Sequence, residues 1–298
     1  MIQARPYEFM VRYTPQREWV IGRGIIFWLA FFFIELGAGT FIAASIFSSL
    51  AGMFAGWLIC AVLGGGLHLL YLGHPLRFWR IVLSQGWKTS WISRGLYFVG
   101  FFLILGLIHM ILVQWASPVP ALLIAADVFA FLALIYVGFV MCSVNGIPLW
   151  NTPLLPVLYV VLGIWGGLGV TLMSMLTTGL PMANVELWLD IFLLAFIFIV
   201  FIYLFSIRYQ GMTGKVSVKQ IVAGKWAPLF WIMVVTLGIA LPLTVALGTW
   251  LAGLAIPAAF LFVVILFELL GDLSLRYCLL RCGLYSPLLP SDAGKEHG

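Results

Sequence analysis

Eight runs of about 20 apolar residues, each long enough to cross a hydrocarbon core of roughly 30 Å as a helix, fill most of this sequence. Inside lipid the backbone must satisfy its own polar groups, so the runs predict helices. They fall at 24–49, 51–73, 95–115, 120–141, 156–178, 187–207, 229–250 and 252–275. The chain is 64% hydrophobic and only 8% charged, whereas a soluble domain is about a quarter charged; a water-soluble globule is excluded. Ser48-Ser49-Leu50-Ala51-Gly52, Ser117-Pro118-Val119-Pro120 and Gly248-Thr249-Trp250-Leu251-Ala252 are so short that each must join antiparallel neighbours.

An even number of spans puts both termini on one face. All fifteen Lys and Arg map to that face: four in the N-terminal segment (Arg5, Arg12, Arg17, Arg23), Arg77, Arg80, Lys88 and Arg94 in the second loop, Arg208, Lys215, Lys219 and Lys225 in the sixth, and Arg276, Arg281 and Lys295 at the end. The positive-inside rule predicts that this face is cytoplasmic. The first 23 residues carry no apolar run or small-residue cleavage site, so no removable signal peptide is expected. The basic residues are not arranged as a soluble groove, which argues against nucleic acid as a partner.

Gly37-Ala38-Gly39-Thr40 in the first run and Gly167-Leu168-Gly169-Val170 in the fifth occupy similar places in the two halves. Small residues let membrane helices approach closely. The expected organisation is an N-terminal juxtamembrane segment (1–23), a four-helix bundle (24–141), a hinge (142–155), a second four-helix bundle (156–275) and a tail (276–298).

Ionisable groups inside a membrane span are costly and are functional candidates by default. Glu35 lies about 12 residues beyond Arg23, roughly 18 Å into the membrane at 1.5 Å per residue. No Lys or Arg is within two turns of it, so it needs an interhelical partner, a proton or a water cavity. Glu268, Asp272 and Arg276 recur at i, i+4 and i+8 on one stripe near the basic face. They read either as a charge ladder, with Arg276 pairing Asp272, or as a proton-accepting Glu268. With Asp127, His109 and His68 they make a broken polar line across the membrane, and Glu35, Asp127, Glu268 and Asp272 are the candidates for proton transfer.

His68 and His109 differ in depth by roughly 14 Å on the same rise, which disfavours a bis-histidine haem. The four cysteines, Cys60, Cys142, Cys278 and Cys282, form no C-x-x-C cluster. No haem, iron–sulfur cluster or other metal is therefore expected in this chain. Midplane carboxylates and glycine-interrupted helices also suit a stand-alone secondary transporter, and that alternative stays open.

Two polar-face segments are distinctive. The second loop reads Leu72-Gly73-His74-Pro75-Leu76-Arg77-Phe78-Trp79-Arg80, then Thr89-Ser90-Trp91-Ile92-Ser93-Arg94-Gly95, alternating Arg with aromatics as an interfacial segment does. The fourth link, Asn145-Gly146-Ile147-Pro148-Leu149-Trp150-Asn151-Thr152-Pro153-Leu154-Leu155-Pro156, is uncharged and proline-stiffened, which suggests burial against something. With Tyr136-Val137-Gly138, Glu35-Leu36-Gly37-Ala38-Gly39-Thr40-Phe41 and the closing stretch from Leu275 to Leu288, these segments resemble the NrfD/PsrC-type membrane subunits of polysulfide reductase and its relatives.

That resemblance implies a haem-free, eight-helix subunit that exchanges electrons between menaquinone or ubiquinone and a four-cluster, ferredoxin-like iron–sulfur subunit, which serves a molybdopterin catalytic subunit. It implies a quinone headgroup near the start of the first span and the end of the fourth, with Tyr136 donating to it and Arg23, His68 and Trp150 nearby. Arg77, Arg80, His74 and Trp79 would dock the partner. His74 stands where the family pattern has Arg, and Gln16, Arg17, Glu18 and Arg23 stand where some members carry Asn and His. Relatives with exported catalytic subunits dock them outside the cell on the face of the termini. The charge count here instead predicts a cytoplasmic partner and an inner-membrane location.

Overall fold

The computed structural model describes residues 21–83 and 85–286, so Arg5, Arg12, Gln16, Arg17, Glu18, Lys295 and the last two residues of the closing stretch lie outside it. Eight helices are long and apolar enough to cross a membrane: α1 (Arg23–Ile46), α2 (Leu50–Tyr71), α3 (Trp91–Trp115), α4 (Pro120–Cys142), α5 (Leu154–Thr178), α6 (Ala183–Arg208), α7 (Ala227–Ala252) and α8 (Ala258–Cys282). An amphipathic surface helix, Gly211–Val222, buries Gly214, Ser217, Val218 and Ile221 and leaves its lysines in water. No strand occurs among the described residues.

Local chemistry sets most of the boundaries. Ser49 caps α2 by accepting the Gly52 N–H at 3.1 Å, and Ser90 likewise starts α3. Pro120 opens α4, where its missing N–H costs nothing. Gly179 and Gly253 close α5 and α7 in the left-handed conformation. Two spans are not regular: Ile59–Gly65 of α2 and Phe230–Ala240 of α7 wind as π-helix, a geometry that recurs at functional sites.

The last span differs from expectation. It starts at Ala258, after Pro257, and continues to Cys282, seven residues past the predicted end at 275. The charges of Asp272 and Arg276 suggested a water-facing end, but both side chains are buried. Glu268 consequently lies near the middle of its helix, about 15 Å from Ala258, and not close to the basic face. Arg276 therefore leaves the set of cations expected on the face of the termini.

The spans pair with neighbours in each half, α1 with α2 and α4, α3 with α4, α5 with α6, and α7 with α8. The two halves meet along an extensive seam between α1 and α5. A β-carbon on Gly39 would fall against the Gly163 carbonyl, and one on Gly167 would fall on the Gly39 backbone. The glycines therefore bring the two backbones into direct contact. Thr171 Oγ1 donates to the Gly167 carbonyl at 2.8 Å and lies 3.4 Å from that of Thr40.

Candidate functional site

Near the face of the termini, α2 and α4 bring His68 and Tyr136 together. The Tyr136 hydroxyl lies 3.5 Å from His68 Nε2. The Tyr136 ring rests on Gly95 of α3, where any β-carbon would collide with it. Phe31 packs edge-on to Tyr136 at 6.0 Å and lies 5.2 Å from the His68 ring, and Phe27 joins Tyr71 at 5.0 Å. Tyr136 is only 3% exposed, whereas His68 is half-buried and Leu69, Leu70 and Tyr71 beside it face outward. The pair is thus approached from the His68 side. Arg23, exposed at the start of α1, lays its guanidinium over Gly73, with Nη1 3.1 Å from where a β-carbon would stand.

Trp150 is placed differently. It is fully buried, and its indole N–H donates to the Leu279 carbonyl at 2.8 Å. Gly283 packs against the same ring. The Tyr203 hydroxyl donates to the Leu149 carbonyl, and the Ser286 N–H to that of Gly146 at 2.8 Å. Ile147, Leu149 and Trp150 of the uncharged hinge are therefore buried, tied to the end of α8 and to α6 of their own chain, while Asn145, Gly146, Asn151 and Pro153 stay exposed.

At mid-membrane a second polar centre joins the ends of the sequence. Arg276 Nε donates to Asp272 Oδ1 at 2.7 Å, and Arg276 Nη1 donates to Glu35 Oε2 on α1. Glu35, Asp272 and Arg276 are 0%, 2% and 2% exposed. The guanidinium lies over the Tyr159 ring at 4.6 Å and 5.7 Å from that of Phe32, a cation–π setting. Glu35 Oε1 and Glu268 Oε2 are buried without a hydrogen-bond partner. Asp127 stands apart, accepting from Ser45 Oγ at 2.9 Å.

On the polar face, His74, Arg77, Trp79 and Arg80 are all exposed. Leu76 is 88% exposed, and Phe78, Leu83 and Trp87 extend the apolar surface. Arg80 lies 5.5 Å from the Trp79 ring. Arg94 ties the loop down by donating to the carbonyls of Trp87 and Lys88 at 2.9 and 2.7 Å.

The model of the polysulphide reductase NrfD family matches residues 17–287. The chain belongs to that family. It is 28% identical to the C subunit of polysulfide reductase from Wolinella succinogenes over 291 residues, which span 85% of this chain and 91% of the relative. It is 24% identical to the NrfD homolog of Haemophilus influenzae over 183 residues, 56% of this chain and 53% of that one. With its eight spans it is a multi-pass membrane subunit of the kind that serves oxidoreductase complexes.

Within this family member the structure joins residues the sequence kept apart. Glu35 takes the interhelical partner that its isolation demanded, and that partner is Arg276, expected to pair only Asp272. Glu186 and Asp190, at i and i+4 on α6, also line a cavity with Glu268. Their spacing at the start of an apolar run was the signal that could have marked them. Gly95, the seat of Tyr136, carried no such signal.

Proposed function

We propose that this chain is the quinone-reactive membrane subunit of a respiratory oxidoreductase. It passes electrons between menaquinone or ubiquinone and an iron–sulfur partner that serves a molybdopterin catalytic subunit. The observation that carries the reading is the Tyr136–His68 contact at 3.5 Å, a phenol and an imidazole at one depth near the face of the termini. Their chemistry fits a quinone: both can donate to a carbonyl, both can exchange protons, and Phe27, Phe31 and Tyr71 supply an aromatic wall. A quinone held there would supply two-electron, two-proton redox chemistry.

The chain's own residues hold the headgroup and move protons. Tyr136 is fixed by Gly95, so its hydroxyl can be a positioned donor. His68, reachable from the bilayer side, exchanges protons with Tyr136 at the site edge. Arg23 lies over Gly73 as the nearby cation at the start of α1. Glu35, Asp272 and Glu268 form the continuing proton route, with Asp127 nearer the opposite face. Arg77, Arg80, His74 and Trp79 form the docking surface, on the side that positive charge makes cytoplasmic in the inner membrane.

The test uses the complex purified gently from membranes. Added quinol should reduce clusters of a co-purifying iron–sulfur subunit, and Tyr136→Phe should slow that reduction about tenfold or more, the effect of losing one hydrogen bond of about 1.4 kcal/mol. Full rates in both Tyr136→Phe and His68→Gln would overturn the assignment.

A further inference from the structure

Away from the Tyr136–His68 site, a cavity of about 260 Å³ opens between α6, α7 and α8. At about 30 Å³ per molecule it has room for several waters. Its rim is the link between α7 and α8, where Leu254 and Ala255 are exposed on the face opposite the termini. Glu186 and Asp190 of α6 line it, about 5 and 10 Å in from the start of that helix on the rise per residue. Its inner wall is Glu268, 3% exposed, whose Oε2 has no hydrogen-bond partner. On the α5 side Gly169 lies beside the carboxyl: a β-carbon there would be in ordinary contact with Oε2 at 3.7 Å and would press on Ile265 Cγ2 at 2.8 Å.

We infer that this cavity is a proton port. Glu186 and Asp190 draw protons from the face opposite the termini, and Glu268 receives them at mid-membrane. Three observations converge. The acidic residues descend in steps of about one helical turn, from rim to floor. The floor carboxyl is nine-tenths buried yet without a hydrogen-bond partner at Oε2, facing a space large enough for water. Beyond it, one and two turns along α8, stand Asp272 and Arg276, and across the seam Glu35. The groups facing Glu268 are thus Glu186 and Asp190 from α6, Asp272 and Arg276 from its own helix and the Thr249 hydroxyl from α7. Three buried carboxyls, Glu35, Asp272 and Glu268, stand against one guanidinium, which pairs the first two and leaves Glu268 without a partner. A buried cluster with that surplus is neutral only when it binds protons, and burying unpaired charge is costly. A metal ion is not favoured, because no group of three or more potential ligands is close enough among the described residues.

The port stands on the cavity and not on the quinone assignment, and its test needs no quinol. Dicyclohexylcarbodiimide adds a protonated carboxyl across its C=N bond where that carboxyl lies in an apolar setting. On the intact complex it should label Glu268, and Glu268→Gln should abolish the labelled peptide. In sealed vesicles of either orientation, Thr249→Cys should react with a small water-soluble methanethiosulfonate only from the face opposite the termini. Protection of Glu268 by excess sodium chloride would make this a sodium site and overturn the proposal. So would a Thr249→Cys thiol inert from both faces, or an unlabelled Glu268 beside a reactive Thr249→Cys thiol.

Discussion

Arg276 of α8 donates to Glu35 of α1 across 241 positions of sequence, so the first and last spans are joined by an ion pair in the middle of the membrane. The same guanidinium holds Asp272 one turn back on its own helix. Breaking a buried pair leaves an uncompensated charge, which costs far more than the pair gains over an apolar substitute.

Removing the cation should therefore hurt more than removing one anion. Arg276→Met leaves Glu35 and Asp272 without their partner and is expected to cost about 3–5 kcal/mol. Glu35→Gln keeps a hydrogen-bond acceptor and should cost less. Thermal denaturation in detergent, read as loss of monodisperse protein, orders the two; equal stability would place the pair outside the stabilising core.

Glu35→Gln also tests the proton route. Quinol turnover and proton release should both fall in reconstituted vesicles. Unchanged values of both would remove Glu35 from the route and leave it structural.

The glycine seam makes a sharp comparison. Gly167→Ala puts a β-carbon onto the Gly39 backbone and should separate α1 from α5, lowering accumulation in membranes severely. Gly66→Ala meets nothing within 4 Å and should accumulate normally. Membrane levels of the two variants are the measurement.

Trp150→Phe keeps most of the ring but loses the donor to Leu279. A cost of about 1–2 kcal/mol is expected, with the Leu279 carbonyl left unpaired. Limited proteolysis should cut sooner in the segment after Cys282, because Gly283 packs on the Trp150 ring and the Ser286 N–H donates to the Gly146 carbonyl.

Arg77→Gln with Arg80→Gln should leave the eight spans intact, since both side chains are exposed. Partner subunits should co-purify less, most clearly at raised ionic strength, where rim charges are screened. Retained assembly would assign the loop to lipid headgroups instead.

Much of the fold was legible because the signal is local. Seven spans match their apolar runs to within about four residues, and the links carry the serine, proline and glycine signals that end helices. Tyr136 and His68 were each identifiable, the one from the Tyr136-Val137-Gly138 pattern and the other as an imidazole in an apolar run. Their contact was not, because it depends on how α2 and α4 both pack on α1 and on the bare backbone of Gly95 beneath the tyrosine ring. Trp150, expected beside the quinone, donates to the Leu279 carbonyl and so ties hinge to last span, a contact between distant segments that its motif does not record.

The apolar pattern alone determined that this chain forms eight helices long and apolar enough to cross a bilayer, because every residue in lipid must report its preference in its own transfer energy. Only the tertiary structure decided where α8 ends and which charges are inside. Whether Arg276 belongs to water or to the membrane core depends on Glu35, a residue at the far end of the chain. A buried ion is tolerable only where its partner stands, and no local pattern records that place.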